Sequence, residues 1–150
     1  MITEKRCTFS QEVKPITDFH KKLKIRCAFC KPCQIEKARD YSRTIEGVVT
    51  QIWFTQRKKS KKRGHPAPSY TKSELTEFCY KNGIEELHNL WVDSNYNTAL
   101  KPSIDRLDMH RPYTLDNIEL VNWQENNARG YRDRRLGVSV GGIVNKKVNH

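Results

Sequence analysis

The chain of 150 residues carries 28 Lys and Arg against 17 Asp and Glu, a net charge of +11, and 36% of it is hydrophobic. No apolar run approaches the ~20 residues a membrane helix needs, and the opening Met-Ile-Thr-Glu-Lys-Arg-Cys has no apolar stretch behind its charges; the expectation is a cytoplasmic protein with no membrane contact and no export signal. So low a hydrophobic share implies a small core, or one split between small units, and so large an excess of cations is the first sign of a nucleic-acid partner.

Four of the five cysteines, Cys7, Cys27, Cys30 and Cys33, fall in the first 33 residues. Where thiols stay reduced, such a cluster points to a metal rather than to disulfides. Cys30-Lys-Pro-Cys33 is a C-x-x-C knuckle, which supplies two of the four ligands zinc takes in a tetrahedron. Cys7 supplies a third. The place where its own C-x-x-C partner would stand is Ser10, a poor zinc ligand. The fourth ligand is then Cys27 or His20. Thiolate outranks imidazole in a sulfur-rich site, so the expected set is Cys7, Cys27, Cys30 and Cys33. Residues 1–40 read as a zinc-ribbon-like module, too small to fold without its structural Zn2+.

Residues 41–99 read as a helical basic linker and DNA-binding region. The spacing of Ile35, Ala38, Tyr41 and Ile45, continued by Val48, Val49, Ile52 and Trp53, predicts helix over 34–56 with a break at Gly47. Then come six cations in seven residues, Arg57, Lys58, Lys59, Lys61, Lys62 and Arg63, flanked by Trp53, Phe54 and Tyr70. Such a run fits a phosphate-binding stripe, which adds salt-dependent affinity but no sequence readout. Gly64-His-Pro-Ala-Pro-Ser69 is a helix-breaking turn. Ser69 or Thr71 can cap a helix over 72–82 with Leu75, Phe78 and Cys79 inward, Cys79 as a core thiol. A second helix over 84–93 has Ile84, Leu87, Leu90 and Trp91 on its apolar face, Val92 beside them and His88 at the surface.

The stretch from Pro102 to Tyr131 reads as strand, loop, strand, helix: Ser103–Leu107, Ile118–Val121, and helix from Gln124. A carboxylate on the first strand and a carboxamide on the helix are hard oxygen ligands suited to magnesium or manganese. Tyr113 and Trp123 read as core. The tail 136–150 is glycine-bearing and weakly strand-like.

This stretch resembles the HNH nuclease family, the ββα-metal fold. The family pattern of Asp-His or His-His ending the first strand, Asn opening the second and His or Asn on the helix is matched by Asp105-Arg106, Asn117 and Asn126, spaced by 12 and 9 residues. Phage-type members also share the lysine-rich run, a Gly-His-Pro turn, Pro-Ser-Ile-Asp-Arg, Tyr-Thr-Leu-Asp-Asn, a Trp-x-x-Asn helix and an N-terminal cysteine zinc module. The resemblance covers about residues 5–135. It implies a nuclease core over 100–135 in which Asp105 and Asn126 bind a divalent ion (Mg2+ or Mn2+) and Asn117 braces the loop. Arg106 stands where most members have the general-base histidine, and arginine cannot accept a proton at neutral pH. Three accounts follow. His110, the histidine within the loop, takes the proton; or the ion activates the water while Arg106 neutralises the phosphorane; or the site is retained for DNA binding alone.

The resulting expectation is a small α+β protein that hydrolyses phosphodiester bonds of double-stranded DNA, of the free-standing phage homing type and acting in the bacterial host cytoplasm, as monomer or dimer. Arg111, Arg129, Arg132, Arg134 and Arg135 extend its contacts to the DNA backbone. The rival class is a catalytically inactive zinc-containing DNA-binding protein. An inhibitor of a host protein fits the basic balance least.

Overall fold

The computed structural model describes residues 1–135, without the side chains of Asp133 and Arg134; the tail expected over 136–150 lies outside the described residues. The chain is mixed α+β and divides into two units, Met1–Thr44 and Ile45–His150. Among the described residues no helix is long and apolar enough to cross a membrane.

In the first unit, β1 (Glu4–Arg6) pairs antiparallel with β2 (Val13–Pro15), and β3 (Lys21–Lys22) with β4 (Ile25–Arg26). Strands this short cannot bury a face of their own. The buried core is instead Cys7, Phe19, Cys30 and Cys33, with Phe29 packed against them. Helix α1 (Lys31–Ser42) starts where the Cys30–Cys33 knuckle lies, with Cys30 as its N-cap and proline in the first turn, where a missing N–H costs nothing.

The helix expected over 34–56 is two helices, and the break falls at Arg43-Thr44 rather than at Gly47. Ser42 Oγ and Thr44 Oγ1 donate to the Arg39 and Tyr41 carbonyls, both at 2.7 Å, giving the chain an alternative to further helix. Gly47 sits buried inside the next helix. The apolar spacing in α1 marks no buried face, for Ile35 and Tyr41 are exposed.

The second unit is built from α2 (Ile45–Arg63), α3 (Lys72–Lys81), α4 (Ile84–Asp93), a hairpin of β5 (Pro102–Arg106) and β6 (Ile118–Asn122), and α5 (Trp123–Arg135). Its core joins Val49, Tyr70, Leu75, Cys79 and Ile84 from the helical region to Ile104, Tyr113 and Ile118 from the hairpin. The core therefore crosses the boundary the sequence suggested at 99/100. The basic run 57–63 forms the last turns of α2. That helix turns Gln56 and Ser60 inward and leaves Arg57, Lys58, Lys59, Lys61 and Lys62 exposed.

Of the two expected caps, Thr71 is the one that caps helix α3, and it does so in a capping box with Glu74. Thr71 Oγ1 accepts from the Glu74 N–H and Glu74 Oε1 accepts from the Thr71 N–H, both at 3.1 Å. Gly83 precedes α4 at φ +91, a left-handed conformation in which a side chain is strained. Helix α4 buries Ile84 and Trp91, but Leu90 is exposed. His88, expected at the surface, is half-buried with its ring edge-on to Trp91 at 6.0 Å between centroids. Trp123, expected in the core, is 44% exposed: it opens α5 directly after β6, and its N–H donates to the Lys101 carbonyl at 2.8 Å.

Strands β5 and β6 pair in antiparallel register from Pro102↔Asn122 to Arg106↔Ile118. Alternation along β5 sends Pro102 and Ile104 into the core and puts Ser103 and Asp105 on the other face. Bonds from α5 side chains to Ser103 and Asp105 place the helix over that second face.

Candidate functional site

The loop between β5 and β6 is organised by one buried side chain. Asn117, 1% exposed, accepts the Asp108 N–H on Oδ1 at 2.8 Å and donates from Nδ2 to the carbonyls of Asp108 at 3.0 Å and Pro112 at 2.9 Å. Asp108 in turn accepts the His110 N–H on Oδ1 at 2.9 Å. A carboxamide has both a donor and an acceptor end, so asparagine satisfies the loop from both sides where a carboxylate would satisfy only its N–H groups.

Arg106 ends β5 and turns its guanidinium into this loop. Nη1 donates to the carbonyls of Met109 at 2.7 Å and Arg111 at 3.0 Å, and Cζ lies 5.3 Å from the centre of the Tyr113 ring. Burial, and then the charge of Arg63, hold this guanidinium below its ordinary pKa. Arg63 itself donates to the Tyr113 hydroxyl at 3.3 Å, which brings the end of the basic run to the same place.

His65 Nδ1 lies 3.5 Å from Arg106 Nη1. Nη1 has two protons, and the two carbonyl bonds are shorter, so His65 is a neighbour of the guanidinium rather than its main acceptor. His110, the histidine singled out from the sequence, is exposed in the loop. The imidazole beside Arg106 comes from the turn after α2 instead. The sequence signal was the glycine of Gly64-His65: at φ +71 it ends α2 in a left-handed cap, with the His65 N–H on the Ser60 carbonyl at 3.0 Å. That signal marks a turn, not a destination.

On the other face of the hairpin, Asp105 and Glu119 are cross-strand partners. Arg129 of α5 donates to both, at 2.8 Å to Glu119 Oε2 and 3.5 Å to Asp105 Oδ2. Glu119, followed by Asp105, raises the Arg129 pKa. The other oxygen of Asp105 accepts the Arg106 N–H at 2.9 Å. Asn126 Nδ2 donates to Ser103 Oγ at 2.8 Å and to the Ile104 carbonyl at 3.2 Å, which leaves Oδ1 as the atom that could face an ion. Glu119 was not singled out from the sequence; the strand register alone puts it opposite Asp105.

The basic residues fall into two groups. Lys58, Lys59, Lys61 and Lys62 on α2 and Arg132 and Arg135 on α5 are exposed, as is Arg57, whose guanidinium carbon lies 5.7 Å from the Trp53 ring centre. Arg129 is committed to its two carboxylates and Arg111 to Asp116 at 2.9 Å. Thr114, then Arg111, hold the Asp116 carboxyl below the usual carboxylate range. The side chain of Arg134 lies outside the described residues.

In the first unit, the sulfurs of Cys7, Cys30 and Cys33 lie within 4.8 Å of one another and all three residues are buried. Three thiolates so close fit a soft ion such as zinc. Among the described residues this is the one group of three or more Cys, His, Asp or Glu with such an arrangement. The Cys7 thiol is lowered to about 5: burial acts to raise it, but the N–H groups of Ser10, Cys30 and Phe9 and the Ser10 hydroxyl outweigh burial. The Cys33 thiol, beside Cys30, is pushed up to about 11. Lys14 Nζ lies 3.5 Å from Cys30 Sγ.

Cys27 stands outside this cluster, as does His20. The Cys27 N–H donates to the His20 carbonyl at 2.8 Å, so both flank the β3–β4 hairpin as its next backbone pair. The regular Cys27-x-x-Cys30-x-x-Cys33 spacing does not survive folding as three ligands, because β4 ends at Arg26 and the chain changes course before α1.

No family model, no curated protein and no solved structure matches this chain.

Proposed function

We propose that the second unit is an HNH-type, ββα-metal endonuclease that hydrolyses phosphodiester bonds of double-stranded DNA. The observation that carries this reading is the hairpin of β5 and β6 followed by α5, with Asp105, Arg106, Asn117 and Asn126 distributed over it and Asn117 holding the loop closed behind the Asp105-Arg106 pair.

The donor set fits a hard divalent ion. Asp105 offers a carboxylate and Asn126 its Oδ1, with Arg129 moving from Asp105 to Glu119 alone. A magnesium or manganese ion there would supply charge stabilisation for the phosphate. The remaining work falls to the chain. Arg106, fixed by Met109, Arg111 and Tyr113, contributes positive charge that needs no reorganisation during reaction. His65 is the side chain beside it that can accept the proton of an attacking water. The exposed cations of α2 and α5 hold the backbone of the duplex without reading its sequence.

Supercoiled plasmid incubated with the protein and magnesium or manganese tests the reading. Nicking or linearisation by wild type that is lost in Asp105→Ala supports it; no cleavage, or equal cleavage by the variant, rejects it. One observation favours a second reading, a DNA-binding protein that does not cut: Arg129 already ion-pairs with the carboxylate that would hold the ion. That reading expects salt-dependent DNA binding, no cleavage and no effect of divalent ions on the melting of the second unit.

A further inference from the structure

We propose that Ser10 is the fourth corner of the cysteine site, so that Cys7, Ser10, Cys30 and Cys33 hold one soft divalent ion such as zinc through three sulfurs and one oxygen. The inference concerns the first unit alone and does not depend on the nuclease reading.

The geometry of the Cys7 turn is that of a knuckle. The Gln11 N–H closes the turn on the Cys7 carbonyl at 2.8 Å, and Gln11 takes φ +62, the left-handed conformation such a tight turn demands. Within the turn the Ser10 N–H points at Cys7 Sγ at 3.5 Å, and the Cys30 N–H reaches the same sulfur at 3.4 Å. The Ser10 side chain also acts to lower the thiol pKa of both Cys7 and Cys33, and its Oγ accepts the Glu12 N–H at 3.4 Å. Ser10 thus stands in the position of the second ligand of a C-x-x-C pair, next to the Cys7 sulfur. The two other candidates, Cys27 and His20, are outside the group.

The charge is consistent with a neutral fourth ligand. Three thiolates on a divalent ion leave one net negative charge, and the Lys14 ammonium at Cys30 Sγ is there to meet it. A fourth thiolate would add a second negative charge. Zinc accepts oxygen at roughly 2.0–2.2 Å and sulfur at roughly 2.3 Å, so a hydroxyl fits the coordination sphere, though as a weaker ligand than thiolate. The consequence is a site that binds metal less tightly than four cysteines would and exchanges it at one corner.

Cobalt(II) titration of the metal-free full-length protein reads the ligand set directly, since sulfur-to-cobalt charge transfer scales with the number of thiolates. Wild type is expected to give a tetrahedral spectrum with three thiolates. Ser10→Cys should raise the charge-transfer intensity by about one third and tighten binding on the order of tenfold or more, and Ser10→Ala should weaken binding and shift the ligand-field bands. Cys27→Ser and His20→Ala should leave spectrum and affinity unchanged. A loss of charge-transfer intensity in Cys27→Ser, a band shift in His20→Ala, an unchanged spectrum in Ser10→Ala, or no tetrahedral cobalt spectrum in wild type would each overturn the assignment.

Discussion

Arg106 Nη1 and His65 Nδ1 lie 3.5 Å apart, although 41 residues separate them in the chain. A fixed cation and an imidazole therefore meet at the end of β5, the imidazole coming from the turn after α2; in the proposed nuclease reading it stands in for the histidine that this chain lacks at position 106.

This pairing separates two histidines by experiment. With His65 accepting the proton, His65→Ala should lower the plasmid-nicking rate by about 10²–10⁴-fold while melting stays within a few degrees, and His110→Ala should lower it by no more than a few fold. Equal losses in the two variants would remove His65 from the chemistry.

Asn117 is expected to act on stability as well as on activity. Asn117→Ala leaves the Asp108 N–H and the Pro112 carbonyl without their partner in a nearly closed environment. Each abandoned group costs about 1–3 kcal/mol, so urea denaturation of the second unit should report a loss of about 2–6 kcal/mol. Asn117→Asp can still accept from Asp108 but cannot donate to the carbonyls, and should not restore it.

Cys79 makes stability depend on alkaline pH. Its thiol is fully buried against Leu75 and Ile84, and burial pushes it from the ordinary 9.0 to about 12. The folded state keeps the proton where the unfolded state loses it. Stability is then complete below about pH 9 and declines as pH rises from there toward about 12. Cys79→Ala should be less stable at neutral pH through its cavity but should flatten this alkaline decline. A thiol reagent added at mildly alkaline pH should label Cys79 only after unfolding.

Metal removal should unfold one unit and spare the other. The core of residues 1–44 consists of Cys7, Phe19, Cys30 and Cys33 with Phe29, whereas the second unit has its own apolar cluster. Chelation should therefore abolish amide protection over β1, β2 and α1 while Leu75, Cys79 and Ile104 remain protected. Simultaneous loss of both would mean that the second unit depends on the first.

What the sequence determined by itself was local. Capping by Thr71 and the apolar spacing of Leu75 and Cys79 placed α3, and the spacing of Ile84 and Trp91 placed α4, because those signals act within one or two helical turns. The strand–loop–strand–helix order from Pro102 onward was legible for the same reason. The break between α1 and α2 was misplaced because hydroxyl groups bonding back to carbonyls ended the first helix, a competition that apolar periodicity does not register. Only tertiary structure decided which separated groups meet. The hairpin register set Glu119 against Asp105, and the packing of α5 on that face brought Arg129 to both. The left-handed cap at Gly64 delivered His65 to Arg106, and the knuckle turn put Ser10, rather than Cys27, beside the sulfur of Cys7. Spacing along the chain constrains such meetings only where the backbone between the partners is one regular element, and in each of these cases a turn or a strand pairing intervenes.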